Sequence, residues 1–326
     1  MISTKAINKL LISLLLVVSN STPSWSQQQN LAKSICIKPV GRIINGGDAL
    51  FKAGRLICLE DKIQPANGYS VEVLCHNSRR IVIVTQSNQV KQICGERVSQ
   101  PRELCVPTES YCFNTRNPQG RKKPTLITPY VGRIINPQPL ISWLDVPGAT
   151  SYTVKVEGAG VNWSRKVVQT SLEYPKSEPA MQKGRIYKIN VIANNADGPE
   201  IATSSHTIVI PQKEEVEIKR IIEQVQNLNL AGDELAMDLD TVYMSKNLLT
   251  EAIGSLKARI EGGSSNPTIY RMLGDRYRET GLLEPKTLEA ANNAYRQALS
   301  LAQKQNNTDE IAKAQTALEF LEANTK

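Results

Sequence analysis

Hydrophobic and polar positions change their rhythm along this 326-residue chain. After an apolar opening, residues up to about 212 alternate in short period-two runs, and from 213 onward apolar residues recur every three or four positions. The first rhythm reads as strands with one buried face, the second as amphipathic helices. In the first stretch Tyr69, Val71 and Val73 alternate with Ser70 and Glu72, and Ile81-Val82-Ile83-Val84 is a continuous β-branched run. Asn45-Gly46-Gly47-Asp48, Pro65-Ala66-Asn67-Gly68 and His76-Asn77-Ser78 supply turns between the strands. Further on, Ile141-Ser142-Trp143 precedes the turn Pro147-Gly148-Ala149. Tyr152, Val154 and Val156 then point one way, and Thr153, Lys155 and Glu157 the other. Tyr187, Ile189, Val191 and Ala193 repeat that alternation, and 207–210 closes the series before Pro211. Several strands in about 80 residues, separated by turns, predict a small β-sandwich.

The helical rhythm is carried first by Ile218, Ile221, Ile222, Val225 and Leu228, then by Leu248, Leu249, Ala252, Ile253 and Leu256. Asn266-Pro267 reads as an N-cap followed by proline at the first helical position. Gly281 reads as a left-handed stop. Pro285 opens a helix through Ala291, Tyr295, Ala298 and Leu301, and Thr308-Asp309-Glu310 starts a last one. The expected architecture is multi-domain: an all-β N-terminal domain, a β-sandwich and an all-α helical-hairpin domain. The predicted boundaries are 27–112, a linker over 113–130 that carries Arg121-Lys122-Lys123, 131–212 and 213–326.

The opening segment reads as a signal peptide over 1–26. Lys5 and Lys9 precede the apolar run Leu10 to Val18, helix breakers follow at Asn20 to Pro23, and Ser24 and Ser26 are small residues at the cleavage positions. The run is far shorter than the roughly 20 residues that cross a bilayer. An exported protein without a retained transmembrane segment is the expectation, periplasmic or secreted. Cysteine usage agrees. Cys36, Cys58, Cys75, Cys94, Cys105 and Cys112 all lie in the first domain, and the rest of the chain has none. Behind a leader they predict three structural disulfides whose pairing the spacing leaves open. No pair has C-x-x-C spacing and His76 is the only nearby imidazole, so neither zinc nor thioredoxin-like redox chemistry is expected.

Charge is segregated. Residues 27–130 hold 15 Lys/Arg and 7 Asp/Glu, 131–212 hold 8 and 6, and 213–326 hold 14 and 18. A basic exported domain points to an anionic envelope polymer, anionic lipid or an acidic protein rather than to nucleic acid. Catalytic chemistry finds no footing. His76 and His206 are the only histidines, and no nucleophile elbow, zincin motif or phosphate-cradling loop occurs. Glu60-Asp61, read as adjacent in a strand, would point to opposite faces. No catalytic residue, metal ligand or cofactor is expected.

Three resemblances sharpen this reading. Trp143 on an early core strand, with Tyr187, Ile189, Val191, Ala193 and Asn195 as Y-x-V-x-V-x-A-x-N on a late one, resembles a fibronectin type III domain. Tyr270, Leu273-Gly274, Tyr277, Gly281, Ala291, Tyr295 and Ala298 resemble one tetratricopeptide repeat, with the loop after Gly281 about five residues longer than the family's. Gly54, Leu56, Glu60-Asp61, Ile63 and Ser70-Val71-Glu72-Val73 resemble, more weakly, the FecR-like periplasmic β domain. That family has Gly-Asp where this chain has Glu60-Asp61, and lacks the cysteines. The tetratricopeptide resemblance implies a protein- or peptide-binding groove lined by Thr268, Arg271, Asp275, Arg278 and Glu279. The same residues also fit a surface ion-pair ladder at i, i+4 and i+7.

The function expected is that of an exported bacterial envelope protein acting as a non-enzymatic interaction module or scaffold. The alternatives are a glycan- or peptidoglycan-binding protein, using the basic domain and a Trp163 exposed in a turn, and an enzyme whose site is unrecognised.

Overall fold

The computed structural model describes residues 36–46, 52–66, 68–95, 104–105, 112–113, 123–130, 132–195, 201–280 and 285–324. The expected leader, the Gly281 stop and most of the Gly46-Gly47-Asp48 turn lie outside these residues. What is described is a β-rich N-terminal and middle region followed by a helical C-terminal region.

The first region contains β1 (Gly41–Asn45), β2 (Leu56–Ile57), β3 (Lys62–Ile63), β4 (Val71–Cys75), β5 (Arg80–Val84), β6 (Asn88–Gln89), the short α1 (Val90–Cys94), β7 (Leu104–Cys105) and β8 (Cys112–Phe113). One antiparallel sheet runs β2-β1-β4-β5. Its Val71, Val73, Val82 and Val84 pack with Ile43, Ile57, Ile63, Val90 and Ile93 into a small core. Two disulfides staple this region: Cys75–Cys94 lies within that core, and Cys36–Cys58 joins the chain before β1 to the end of β2. Cys105 and Cys112 are register partners across β7 and β8. Glu60 and Asp61 lie in a turn rather than a strand, which corrects the expectation. Asp61 folds back there to accept the Cys58 N–H at 2.8 Å, a local bond that competes with a ladder.

The middle region comprises β9 (Leu126–Thr128), β10 (Gly132–Ile134), β11 (Ile141–Trp143), β12 (Ala149–Gly158), β13 (Val161–Val167), β14 (Ser171–Leu172), β15 (Ile186–Asn195) and β16 (Ile201–Val209). A five-stranded sheet, β10-β16-β15-β12-β13, and a three-stranded one, β14-β11-β9, share one core. All pairs are antiparallel except β10 with β16. Trp143, Tyr152, Val154, Val156, Tyr187, Ile189, Val191 and Ala193 fill that core as their alternation requires. Strand β9 lies inside the stretch expected to be a linker, because Leu126 is apolar enough to be drawn into the core.

Trp163 corrects the sequence reading. It sits on β13, 4% exposed, edge-on to Tyr174 at 5.1 Å between centroids, and is no platform for stacking a sugar. The turn expected around it lies two residues earlier, where Gly158 and Gly160 adopt positive φ. That frees Val161 and Trp163 to alternate inward with Asn162 and Ser164 outward.

The helices are α2 (Gln212–Gln226), α3 (Gly232–Ser245), α4 (Leu249–Glu261), α5 (Pro267–Glu279), α6 (Pro285–Lys304) and α7 (Thr308–Asn324), each packed on the next. Asn266 caps α5 as expected, its Oδ1 accepting the Thr268 N–H at 3.0 Å. Left-handed residues end three helices two positions past their last turn: Asn247, Gly263 and Asn306. No helix among the described residues is long and apolar enough to cross a membrane.

The first sheet is not left with a solvated back. On β4 all five residues are buried, Glu72 and Leu74 as well as Val71, Val73 and Cys75. Ile44, Leu74 and Ile81 join Ile218, Ile221 and Val225 of α2 and Val242 of α3 in a second core. Helices α2 and α3 therefore roof this sheet. Tyr130 is likewise buried among Ala236, Ile253, Leu256 and Ile269.

Candidate functional site

The face expected to line a groove is on α5, and α7 packs beside it. Gly274 is what allows the underlying hairpin to close. A Cβ there would meet the Tyr295 ring at 2.6 Å, so only glycine lets α6 bring its tyrosine this close to α5. Tyr295 is fully buried and its hydroxyl donates to Asp275 Oδ1 at 2.8 Å. Burial and that carboxylate both push the Tyr295 pKa upward, so it stays a donor.

Each expected residue already has an intramolecular role. Arg271 donates from Nη1 to Asp275 Oδ2 and from Nε to Glu310 Oε2, both at 2.7 Å. Burial opposes its charge, yet the Glu310 and Asp275 carboxylates outweigh burial and raise its pKa. Glu310 is held below the usual carboxylate range, burial again being outweighed by Arg271 and Lys313. Arg278 reaches Asp275 only at 3.8 Å and lies over the Phe320 ring, 5.0 Å from its centroid. Thr268 serves the helix start. Glu279 accepts from Arg276 at 3.0 Å and pairs with Arg79 of the first region at 2.7 Å. Arg271, Asp275 and Arg278 thus lie together as a ladder, which Glu310 extends across to α7, while Glu279 faces the β region.

A second constellation escaped the sequence reading. Helix α3 is a charged hub buried on both sides. Asp238 and Asp240, two residues apart, point to opposite faces of the helix. Asp238, 1% exposed, accepts Arg42 Nε at 2.6 Å on one oxygen and meets His76 Nε2 at 2.8 Å on the other. A carboxylate only accepts, so the imidazole donates from Nε2. Arg42, itself buried, also donates to Glu234 at 2.8 Å and to the Gly54 carbonyl at 2.7 Å. On the opposite face Asp240 takes a two-pronged bond from Arg276, both contacts 2.7 Å. Burial disfavours the Arg276 charge, but Asp240 overcomes it and drives its pKa up. Glu279 and Arg79 then carry this line back to the turn after β4. A further fork, Arg220 to Glu72 at 2.8 and 3.0 Å, ties α2 to the same sheet and lowers the Glu72 pKa.

The segregated charge of the sequence therefore meets within the chain. Arg42, His76 and Arg79 of the basic region face Asp238, Glu234 and Glu279 of the acidic one, and Lys38 pairs with Asp309 at 3.1 Å. Along this seam Asp238 is met by Arg42 and His76, Glu234 by Arg42, and Glu279 by Arg79, so that each carboxylate is engaged by a basic side chain from a distant part of the chain.

Three comparisons with known proteins place the chain in no family. No family model matches it, and no curated protein does. Among solved structures, PcrH in complex with the chaperone binding region of PopB is 17% identical over 33% of this chain and 86% of its own, with a TM-score of 0.27. Astrotactin-2, a vertebrate-specific, perforin-like membrane protein, is 12% identical over 61% of this chain and 39% of its own, with a TM-score of 0.22. A multi-domain immunophilin from Arabidopsis thaliana is 12% identical over 56% and 98%, with a TM-score of 0.16. Likenesses this slight carry no argument. The fibronectin type III, tetratricopeptide and FecR-like resemblances rest on the residues quoted for them.

Proposed function

We propose that this chain is an exported, non-enzymatic adaptor whose helical region binds a protein or peptide partner. In this reading a tetratricopeptide-like hairpin stands on a fibronectin type III-like spacer and a disulfide-stapled base. Two disulfides near the start of the described chain and the leader-like opening support export. The observation that carries the binding role is the α5–α7 surface. There Arg278, over a third exposed, lies against Phe320, a large apolar ring half in solvent. A guanidinium beside an exposed aromatic suits a peptide that offers a carboxylate next to an apolar side chain. Arg271 sits deeper and positions Asp275 and Glu310 around that spot.

Capture from the cell envelope with the wild-type chain, set beside the same capture with Arg278→Ala/Phe320→Ala, tests the proposal. One protein retained by the wild type and lost from the variant, with both chains melting alike, supports it. Equal retention by both removes this surface from the account. The anionic-polymer reading gains no such observation, since Arg42 and Arg79 are engaged by the chain's own carboxylates and Trp163 is buried.

A further inference from the structure

Sheet edges expose unpaired backbone donors and acceptors, and proteins defend them by shortness, by a covering element or by charge. Among the described residues, this chain defends all but one of the edges of its three larger sheets. Strands β2 and β14 have two residues each and β9 has three. Strand β10 has three residues as well. Strand β13, long and otherwise vulnerable, presents exposed Ser164, Arg165 and Lys166 in succession. Strand β5 is the exception: α3 packs against it, but it is not short and its charge stops at Arg80. It is five residues long, reads Arg-Ile-Val-Ile-Val, and among the described residues pairs only with β4. Its Ile83 is 61% exposed.

We propose that β5 is a self-association edge, pairing antiparallel with β5 of a second copy about a twofold axis at Val82. This proposal does not depend on the adaptor reading above. The sequence of the strand is its own complement in that register. Ile81 stands opposite the second copy's Ile83, Val82 opposite Val82, and Arg80 opposite Val84, so no like charges meet across the ladder. The two arginines at the start of the strand are placed at opposite ends of the paired ladder. Arg79 is already neutralised by Glu279, and Arg80 donates to the Ile93 carbonyl at 2.8 Å. Ile83 shares the helix-facing side of the sheet with Ile81 and with Glu72, its register partner on β4. Pairing there joins two four-stranded sheets into one of eight and covers Ile83 with an isoleucine. A twofold arrangement uses the same patch on both copies and closes on itself, which also ends the hazard of open-ended strand addition. A strand from a different protein would need no such self-matching, and its presence is left as an outcome of the test.

Sedimentation equilibrium of the full oxidised chain over a rising concentration series tests this, with Ile83→Lys and Val168→Lys measured alongside. Val168 is 76% exposed and lies beyond the guarded strand β13, so it controls for general surface stickiness. The wild type and Val168→Lys are expected to form dimers and no larger species. Ile83→Lys is expected to dissociate at least about tenfold more readily, with its melting temperature unchanged below the dimer range. A wild type that stays monomeric throughout overturns the proposal and leaves a foreign strand as the occupant to seek. So does a dimer indifferent to Ile83→Lys, and so does one that both lysine variants break.

Discussion

The middle region and the helix-roofed first sheet solve the same problem of burial in opposite ways. Between its two sheets the middle region buries aromatic and β-branched side chains with little charge, and each sits where period two places it. The seam between the first sheet and the helices buries Arg42, Glu72 and Asp238, and behind it the helices bury Asp240 with Arg276. It works only because each charge meets its counterpart from a distant part of the chain. The first kind of core tolerates any partner of the right size. The second demands named partners, since a buried ion without its counter-ion costs far more than a missing methyl group.

The largest expected effects set these two regions against each other. Asp238→Ala removes the buried counter-ion of Arg42 Nε, leaving that guanidinium only Glu234 and the Gly54 carbonyl, and should cost about 3–5 kcal/mol. Protection of α3 amides from hydrogen exchange should fall, while that of β12 and β15 persists. Trp143→Ala should cost a similar 3–5 kcal/mol with the pattern reversed. A loss spread evenly over both regions in either variant would show that they do not differ in the way described. Gly274→Ala comes next. Its Cβ has no room beside the Tyr295 ring, and a loss of about 1–3 kcal/mol is expected, read by thermal unfolding. A neutral outcome would mean that α5 and α6 are not so closely apposed.

How much of this was legible in the chain follows from the same contrast. Strands β12 and β15 were readable because one face of each looks inward, and α5 because Asn266 and Pro267 punctuate its start. Helix α3 was not. Its buried positions include Asp238, Asp240 and Thr241 beside Ala236 and Val242, so no apolar stripe stands out, and acidic residues on a helix look solvated. Strand β4 was read with one buried face, and Glu72 then sat on the side assigned to solvent. A roofing helix carrying Arg220 reverses that, and nothing local to Glu72 announces it. Of the site, the ladder on α5 was visible as i, i+4 and i+7 spacing. Its extension to Glu310 and Phe320 needed the fold. The one available signal for the seam was the opposite charge of the two ends of the chain, which points to an acidic partner without saying that the partner is the chain itself.

A smaller effect sharpens the comparison at the border of the two regions. Glu251 of α4 accepts the Ile135 N–H at 2.6 Å, and its other oxygen is buried without a hydrogen-bond partner. Burial raises its pKa, with that N–H only partly opposing. A carboxyl whose folded pKa lies above its unfolded value contributes fully below the unfolded value, near 4.5, and loses that contribution as pH rises through the folded pKa. Glu251→Gln should therefore gain on the wild type as pH rises from 4.5 toward 8, by about 1 kcal/mol in urea titrations. A difference between the two that is constant with pH would mean that Glu251 is solvated and ionised throughout.

The central claim is that opposite charges set far apart in sequence, Arg42 on β1 and Asp238 on α3, meet and hold the helical roof on the first sheet. A double-mutant cycle measures this directly, with Arg42→Ala, Asp238→Ala and the double variant compared by urea unfolding of the oxidised chain. The structure predicts that the double variant is little worse than either single one, giving a coupling of about 2 kcal/mol or more. Losses that add to within about 0.5 kcal/mol would show that the two residues act independently, and would contradict the seam.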